Sequence, residues 1–140
     1  DVCSSDLTTA THVFGSTKIS AELATVTSNA QSIWDATNKR LTPRRLGRYL
    51  IHGHLQMADM AISKTCVAQI FKNGSTNIGG GGTASTVAAL AYPEADAFLF
   101  YDVTTIGDYF ELYVYNGDST TRSTNNANVY FEATRIGDVA

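Results

Sequence analysis

The chain has 140 residues, of which 44% are hydrophobic and 16% charged, with a formal net charge of −3. That length suits one domain around one core, and low charge with ordinary apolar content excludes an intrinsically disordered chain. No apolar run approaches the ~20 residues of a membrane helix, so no membrane insertion is expected, and the acidic balance argues against nucleic-acid binding driven by phosphate attraction.

The first seven residues, Asp1-Val2-Cys3-Ser4-Ser5-Asp6-Leu7, are what the tail of a common sequencing-library adapter encodes when read in frame. Residues 1–7 are therefore expected to be non-native, and residues 8–140 to be a single domain. Without Asp1 and Asp6 the acids fall from 13 to 11 against 10 bases, a native charge of −1. Without Cys3 only Cys66 remains, so no internal disulfide is expected. This reading leaves room for a stalk, anchor or signal before residue 8.

Eleven Gly, only two Pro and many Thr, Val and Tyr point to strands and tight turns. Across 19–40, Ile19, Leu23, Val26, Ala30 and Trp34 also fit a helical stripe. Thr25-Val26-Thr27 followed by Ser28-Asn29 favours strands and loops instead. From Gly47, Tyr49, Ile51, Gly53 and Leu55 share one face while Arg48, His52 and His54 share the other, which predicts a half-buried strand. Cys66 to Lys72 is a second strand, with Cys66, Ala68 and Ile70 on one face, and Asn73-Gly74 ends it in a turn. Gly79 to Gly82 reads as a flexible loop. Thr86 to Tyr92 and Ala97 to Val103 are apolar runs of strand length on either side of Pro93. Tyr109 to Tyr115 alternates cleanly, with Phe110, Leu112 and Val114 facing one way and Tyr109, Glu111, Tyr113 and Tyr115 the other. Ser119 to Asn128 is polar, a long loop or weak edge strand, and Val129 to Ile136 is the last strand. Many short strands at this spacing predict an all-β sandwich or jelly roll.

Few residues carry chemistry. His52 and His54 form a His-x-His pair on one strand face, but nothing nearby in sequence supplies a third ligand, so they are read as solvated and no metal site is assigned. No His follows His54, which counts against a cupin-like metal enzyme, the remote enzymatic alternative. The Gly79–Gly82 run lacks the Lys-Ser or Lys-Thr and the helix of a phosphate loop. Lys39, Arg40, Arg44, Arg45 and Arg48 make a basic cluster, read as a solvated turn because no aromatic residues interleave with it. Cys66 reads as a small buried hydrophobe. Asn73-Gly74-Ser75 is a glycosylation sequon, relevant in a eukaryotic secretory host.

Several segments resemble complement C1q-like domains, within the wider tumour necrosis factor-like superfamily. Asp35-Ala36-Thr37-Asn38-Lys39-Arg40-Leu41-Thr42-Pro43, then Gly47-Arg48-Tyr49-Leu50-Ile51, is similar to that family's Asp-rich turn, Thr-Pro and Gly-Tyr strand. Ile70-Phe71-Lys72-Asn73-Gly74 resembles its strand ending in Lys-Asn-Gly. Gly107-Asp108-Tyr109-Phe110-Glu111-Leu112 resembles its Gly-Asp-Tyr-Val-Glu-Leu strand, and Tyr130-Phe131 opens the last strand as it does there. The resemblance spans roughly residues 10–138; Arg44-Arg45-Leu46 departs from the small apolar residues usual before the Gly.

The resemblance implies a ten-stranded jelly roll that assembles as a homotrimer and binds or builds rather than catalyses. It implies a core of Tyr49, Ile51, Leu55, Ile70, Phe110, Leu112, Val114 and Phe131. It also implies that Tyr109, Tyr113, Tyr115 and Tyr130 lie at the threefold interface. Ca²⁺, which some members hold near the trimer axis, is left unassigned among Asp102, Asp108, Glu111 and Asp118, since no EF-hand-like spacing is present. No other cofactor is expected. The Asn-, Thr- and Ser-rich style resembles phage and bacterial members. The expected role is a structural or receptor-binding module of a phage virion (tail fibre, tail or capsid decoration) or microbial surface protein, extracellular or on the virion. Its partners would be a host-surface glycan or protein receptor, or other virion proteins. A secreted recognition protein binding glycans or proteins is the alternative. Gly79–Ala84 and Ser119–Asn128 are the expected presenting loops.

Overall fold

A computed structural model of the chain describes residues 2–6, 19–20, 25–29, 33–35, 37–79, 81, 83–85, 92–118, 122, 124 and 129–139. Among them there is no helix, and the strands run β1 (Val2–Asp6), β2 (Ile19–Ser20), β3 (Thr25–Asn29), β4 (Trp34–Asp35), β5 (Arg40–Leu41) and β6 (Gly47–Gln56). There follow β7 (Thr65–Lys72), β8 (Thr76–Gly79), β9 (Thr83–Ser85), β10 (Glu94–Val103), β11 (Phe110–Asn116) and β12 (Tyr130–Gly137). Three of these strands, β2, β4 and β5, are only two residues long.

The strands pair antiparallel in two sheets, one in the order β10-β6-β12-β1-β3 and the other β4-β5-β11-β7-β8, with β2 on β11 and β9 on β7. Chain neighbours are mostly not sheet neighbours, as a jelly roll requires: β6 lies between β10 and β12, and β11 lies between β5 and β7. β1 pairs with β12 and β3.

Alternation places the core between the sheets. On β6, Tyr49, Ile51 and Leu55 are buried, and Gly53 sits in the same row. Opposite them Phe110, Leu112 and Val114 of β11 and Ile70 of β7 are buried, and Phe131 of β12 joins them. The Tyr49 hydroxyl donates to the Arg45 carbonyl at 3.0 Å, so its one polar atom enters the interior satisfied. Met57 N donates to the Pro93 carbonyl at 2.9 Å, which ties the end of β6 to the start of β10.

Turn chemistry is equally local. Asp35 closes the β4–β5 turn by accepting from the backbone of Thr37 and Asn38, at 3.1 and 3.0 Å, and from the Asn38 side chain at 2.7 Å. Asn73 and Gly74 both take positive φ, 52° and 71°, as the tight β7–β8 turn needs. Two sequence expectations fare differently. The described residues of the Gly79–Ala84 stretch are paired rather than free, because Gly79 pairs with Ile70, Gly81 bridges Ala97 and β9 pairs with β7. Gly81 permits this approach, since a Cβ there would lie 2.7 Å from the Ala68 carbonyl oxygen. The Thr86–Tyr92 strand and most of Ser119–Asn128 lie outside the described residues. Tyr92 itself is exposed and in no strand, and Thr124 bridges Met57.

Gly53 fixes how closely the sheets approach, since a Cβ there would lie 2.5 Å from Leu112 Cδ1. Gly53→Val forces the sheets or Leu112 to move, and about 1–3 kcal/mol of destabilisation is expected in urea unfolding. Unchanged stability would show that the interior has slack at this point.

Candidate functional site

The outward residues of β6 meet those of its two neighbours in rows. His54 stands between Asp96 and Tyr130, His52 between Phe98 and Glu132, and Leu50 between Phe100 and Thr134. At one end of this face Gln56 Nε2 donates to Glu94 Oε1 at 2.6 Å. At the other the Arg48 guanidinium donates two bonds to the Asp102 carboxylate, at 2.6 and 2.8 Å.

The middle rows join titratable and aromatic groups. Asp96 Oδ1 is 2.8 Å from His54 Nδ1 and 3.2 Å from His52 Nε2. His52 Nδ1 is 3.4 Å from Glu132 Oε1. Burial pushes the Asp96 carboxyl up, but the hydrogen bonds and charge of His54 and His52 outweigh it and hold it below the usual carboxylate range. Tyr130 stacks on His54 with centroids 5.2 Å apart and meets His52 edge-on at 5.0 Å. Burial, then the nearby Asp96 and Glu132 charges, push its phenol up. Phe98 touches His52 at 6.2 Å and Phe100 at 5.5 Å, both edge to face. Yet Phe98 and Phe100 remain 52% and 59% exposed, and Ile136 on the same sheet 49%.

The histidines are thus not merely solvated, as the sequence suggested. Cross-strand register brings Asp96 and Glu132 to them, two residues that no local spacing could supply. The four still make hydrogen bonds rather than a coordination shell: among the described residues no three His, Cys, Asp or Glu side chains converge to hold a metal ion.

Of the tyrosines expected at one interface, only Tyr130 lies on this sheet. Tyr113 and Tyr115 are on β11 in the other sheet, and Tyr109 immediately precedes it. There they are half-buried by their own chain. Tyr113 packs on Phe71 with centroids 4.4 Å apart, and the Arg40 guanidinium lies 4.2 Å from the Tyr109 ring centre. Glu111 stands in the same row, its carboxyl pushed up by burial against the opposing pull of Arg40.

The carboxylates considered for calcium do not meet. Asp102 is held by Arg48, and Asp118 accepts from Arg122 at 2.9 Å and from the Ala61 backbone at 3.1 Å. Asp108 is paired with Lys72 Nζ at 2.8 Å and accepts from Asn73 Nδ2 at 2.9 Å. Asn73 Oδ1 in turn accepts from Tyr109 N at 3.0 Å, so the sequon asparagine clamps two turns together. The basic cluster is also divided, with Arg40 on Asp35 at 3.3 Å, Arg48 on Asp102, and Arg44 and Arg45 exposed. Cys66 is buried in the core, as its alternation suggested.

The sequence matches no family model and no curated protein. Solved structures are similar along nearly the whole chain. The globular domain of zebrafish complement 1qA superposes with a TM-score of 0.73 at 10% identity, covering 99% of this chain and 98% of that one. Eiger TNF from S. frugiperda gives 0.71 at 10% identity, covering 99% and 94%. Murine APRIL gives 0.66 at 11% identity, covering 96% and 98%. The fold is therefore the jelly roll shared by C1q and tumour necrosis factor domains.

Burial pushes the Asp108 carboxyl up, yet Lys72 and Asn73 together hold it below its usual range. The stabilisation this provides is complete above the ordinary carboxylate range and is lost as pH falls through the lowered folded value. Asp108→Ala is expected to cost about 1–3 kcal/mol at pH 7 in urea titrations, with the deficit shrinking below about pH 4. A deficit constant across that range would contradict the assignment.

Proposed function

We propose that this chain is a non-enzymatic binding module that assembles as a homotrimer through the outer face of the β10-β6-β12 sheet. The observation that carries this reading is the pair Phe98 and Phe100, more than half exposed on a sheet that also carries Leu50, Tyr130 and Ile136. A soluble chain gains nothing by exposing adjacent phenylalanines in water, and such a patch marks a contact surface. The likeness to C1q and tumour necrosis factor folds supports sister copies as the occupant, in keeping with the assembly that the sequence resemblance implies. Covering about 100 Å² on each of Phe98, Phe100 and Ile136 contributes roughly 7 kcal/mol per protomer. That lies within the ~4–15 kcal/mol that association costs, so the polar rows must fit as well.

In this reading Tyr130 stays at the interface. Tyr113 and Tyr115 stand on β11 in the other sheet and Tyr109 just before it, and this reading makes no use of them. Three copies then present identical loops, and weak single contacts with a host-surface glycan or protein, or with a neighbouring structural protein, sum to avidity. We place such a module on a phage virion or microbial surface, outside the cell. Its turn-rich, Asn- and Thr-rich sequence supports that placement.

Light scattering coupled to size exclusion tests the assembly. The wild-type mass should be three chains, and Phe98→Asp with Phe100→Asp should give one chain with the β circular dichroism kept. A wild-type mass of one chain at micromolar concentration would contradict the proposal.

A further inference from the structure

Two imidazoles and two carboxylates interlock on the same face as the exposed phenylalanines. With both imidazoles neutral, His52, His54, Asp96 and Glu132 together carry two negative charges per protomer; with both protonated they carry none. We infer that acidification into the histidine range tightens self-association through this face, because covering the cluster draws protons onto His52 and His54. The inference rests on the assembly reading above.

The physical argument starts from desolvation. A sister copy seated on Phe98 and Phe100 also removes water from Glu132, in the row of Phe98, and from Asp96, in the next row. A carboxylate losing water must be neutralised by a charged partner or pay heavily for its burial. The imidazolium ions supply that partner without movement, since their nitrogens already lie 2.8, 3.2 and 3.4 Å from the carboxylate oxygens. Threefold repetition strengthens the effect by bringing the same uncompensated charge from each copy toward the others.

The remaining charged groups around the histidines do not replace this compensation. On β10, Glu94 adds a further negative charge and is hydrogen-bonded by Gln56, while Asp102 is matched by Arg48 of β6. On β12, Tyr130 is neutral, and Arg135 is turned to the Leu46 carbonyl and Asp138 at the far end. Beyond β12, Asp6 of β1 pairs in register with Tyr130. Across the core, β7 and β11 present apolar side chains to the inner side of β6.

The sign follows from proton counting. The assembled state binds more protons than the separate chains, so association strengthens as pH falls from 8 through the range where histidines charge. Below about pH 4 the carboxylates protonate as well, and the gain is lost.

Sedimentation of the full chain at graded concentration, at pH 8.0 and 5.5, reads the effect, with circular dichroism at both pH values as the check on folding. The concentration for half dissociation should be at least about tenfold lower at pH 5.5. His52→Gln with His54→Gln should abolish the pH dependence. Asp96→Asn with Glu132→Gln should also flatten it, leaving association at pH 8.0 as tight as the wild type shows at 5.5. If the wild type assembles but is indifferent to pH, or loosens on acidification, this inference fails and the assembly reading stands. A single-chain mass at both pH values overturns both. The wild-type comparison decides the matter even where a variant does not fold.

Discussion

Every functional feature of this molecule depends on one strand held in register between two others. β6 pairs with β10 along its whole length and with β12 along most of it. Because strand side chains alternate with period two, a slip of one residue would send His52 and His54 into the core and Ile51 into water. Burial of Tyr49, Ile51 and Leu55, and the close approach of Gly53 to Leu112, make that slip prohibitive. The pattern of rings, imidazoles and carboxylates outside is thus set by packing inside.

The two outer faces of the sandwich have opposite characters. On the β11 side the aromatic side chains are engaged within the chain: Tyr113 on Phe71, Tyr109 beneath Arg40. On the β6 side Phe98 meets Phe100 and His52, yet both phenylalanines keep more than half of their surface toward solvent. The exposed rings of β10 still carry their hydrophobic driving force. That asymmetry, rather than the number of tyrosines, is what favours this sheet in the proposed assembly.

Much of the fold was legible in the sequence because it is governed by local rules. Alternation from Tyr49 to Leu55 and from Phe110 to Val114 identified core faces, and Asn73-Gly74 marked a tight hairpin turn. The site was less legible, because it is made by pairing. Asp96 is more than forty residues from His54 along the chain and Glu132 eighty from His52, so only the register joins them. The setting of the tyrosine stripe was hidden for the same reason: alternation tells which side chains leave the core, not which of the two sheets they stand on, nor that Phe71 lies against Tyr113 and Arg40 against Tyr109. Phe98 and Phe100, by contrast, lie in a continuous apolar run, Ala97-Phe98-Leu99-Phe100, whose period-two exposure appears only once β10 is placed.

The central claim is that sister chains cover the outer face of β10, β6 and β12. Hydroxyl-radical footprinting at increasing protein concentration measures this residue by residue. Modification of Phe98 and Phe100 should fall as chains associate, while Tyr92 and Ile62, exposed elsewhere, keep a constant rate. Equal labelling of Phe98 and Phe100 at every concentration would contradict the account.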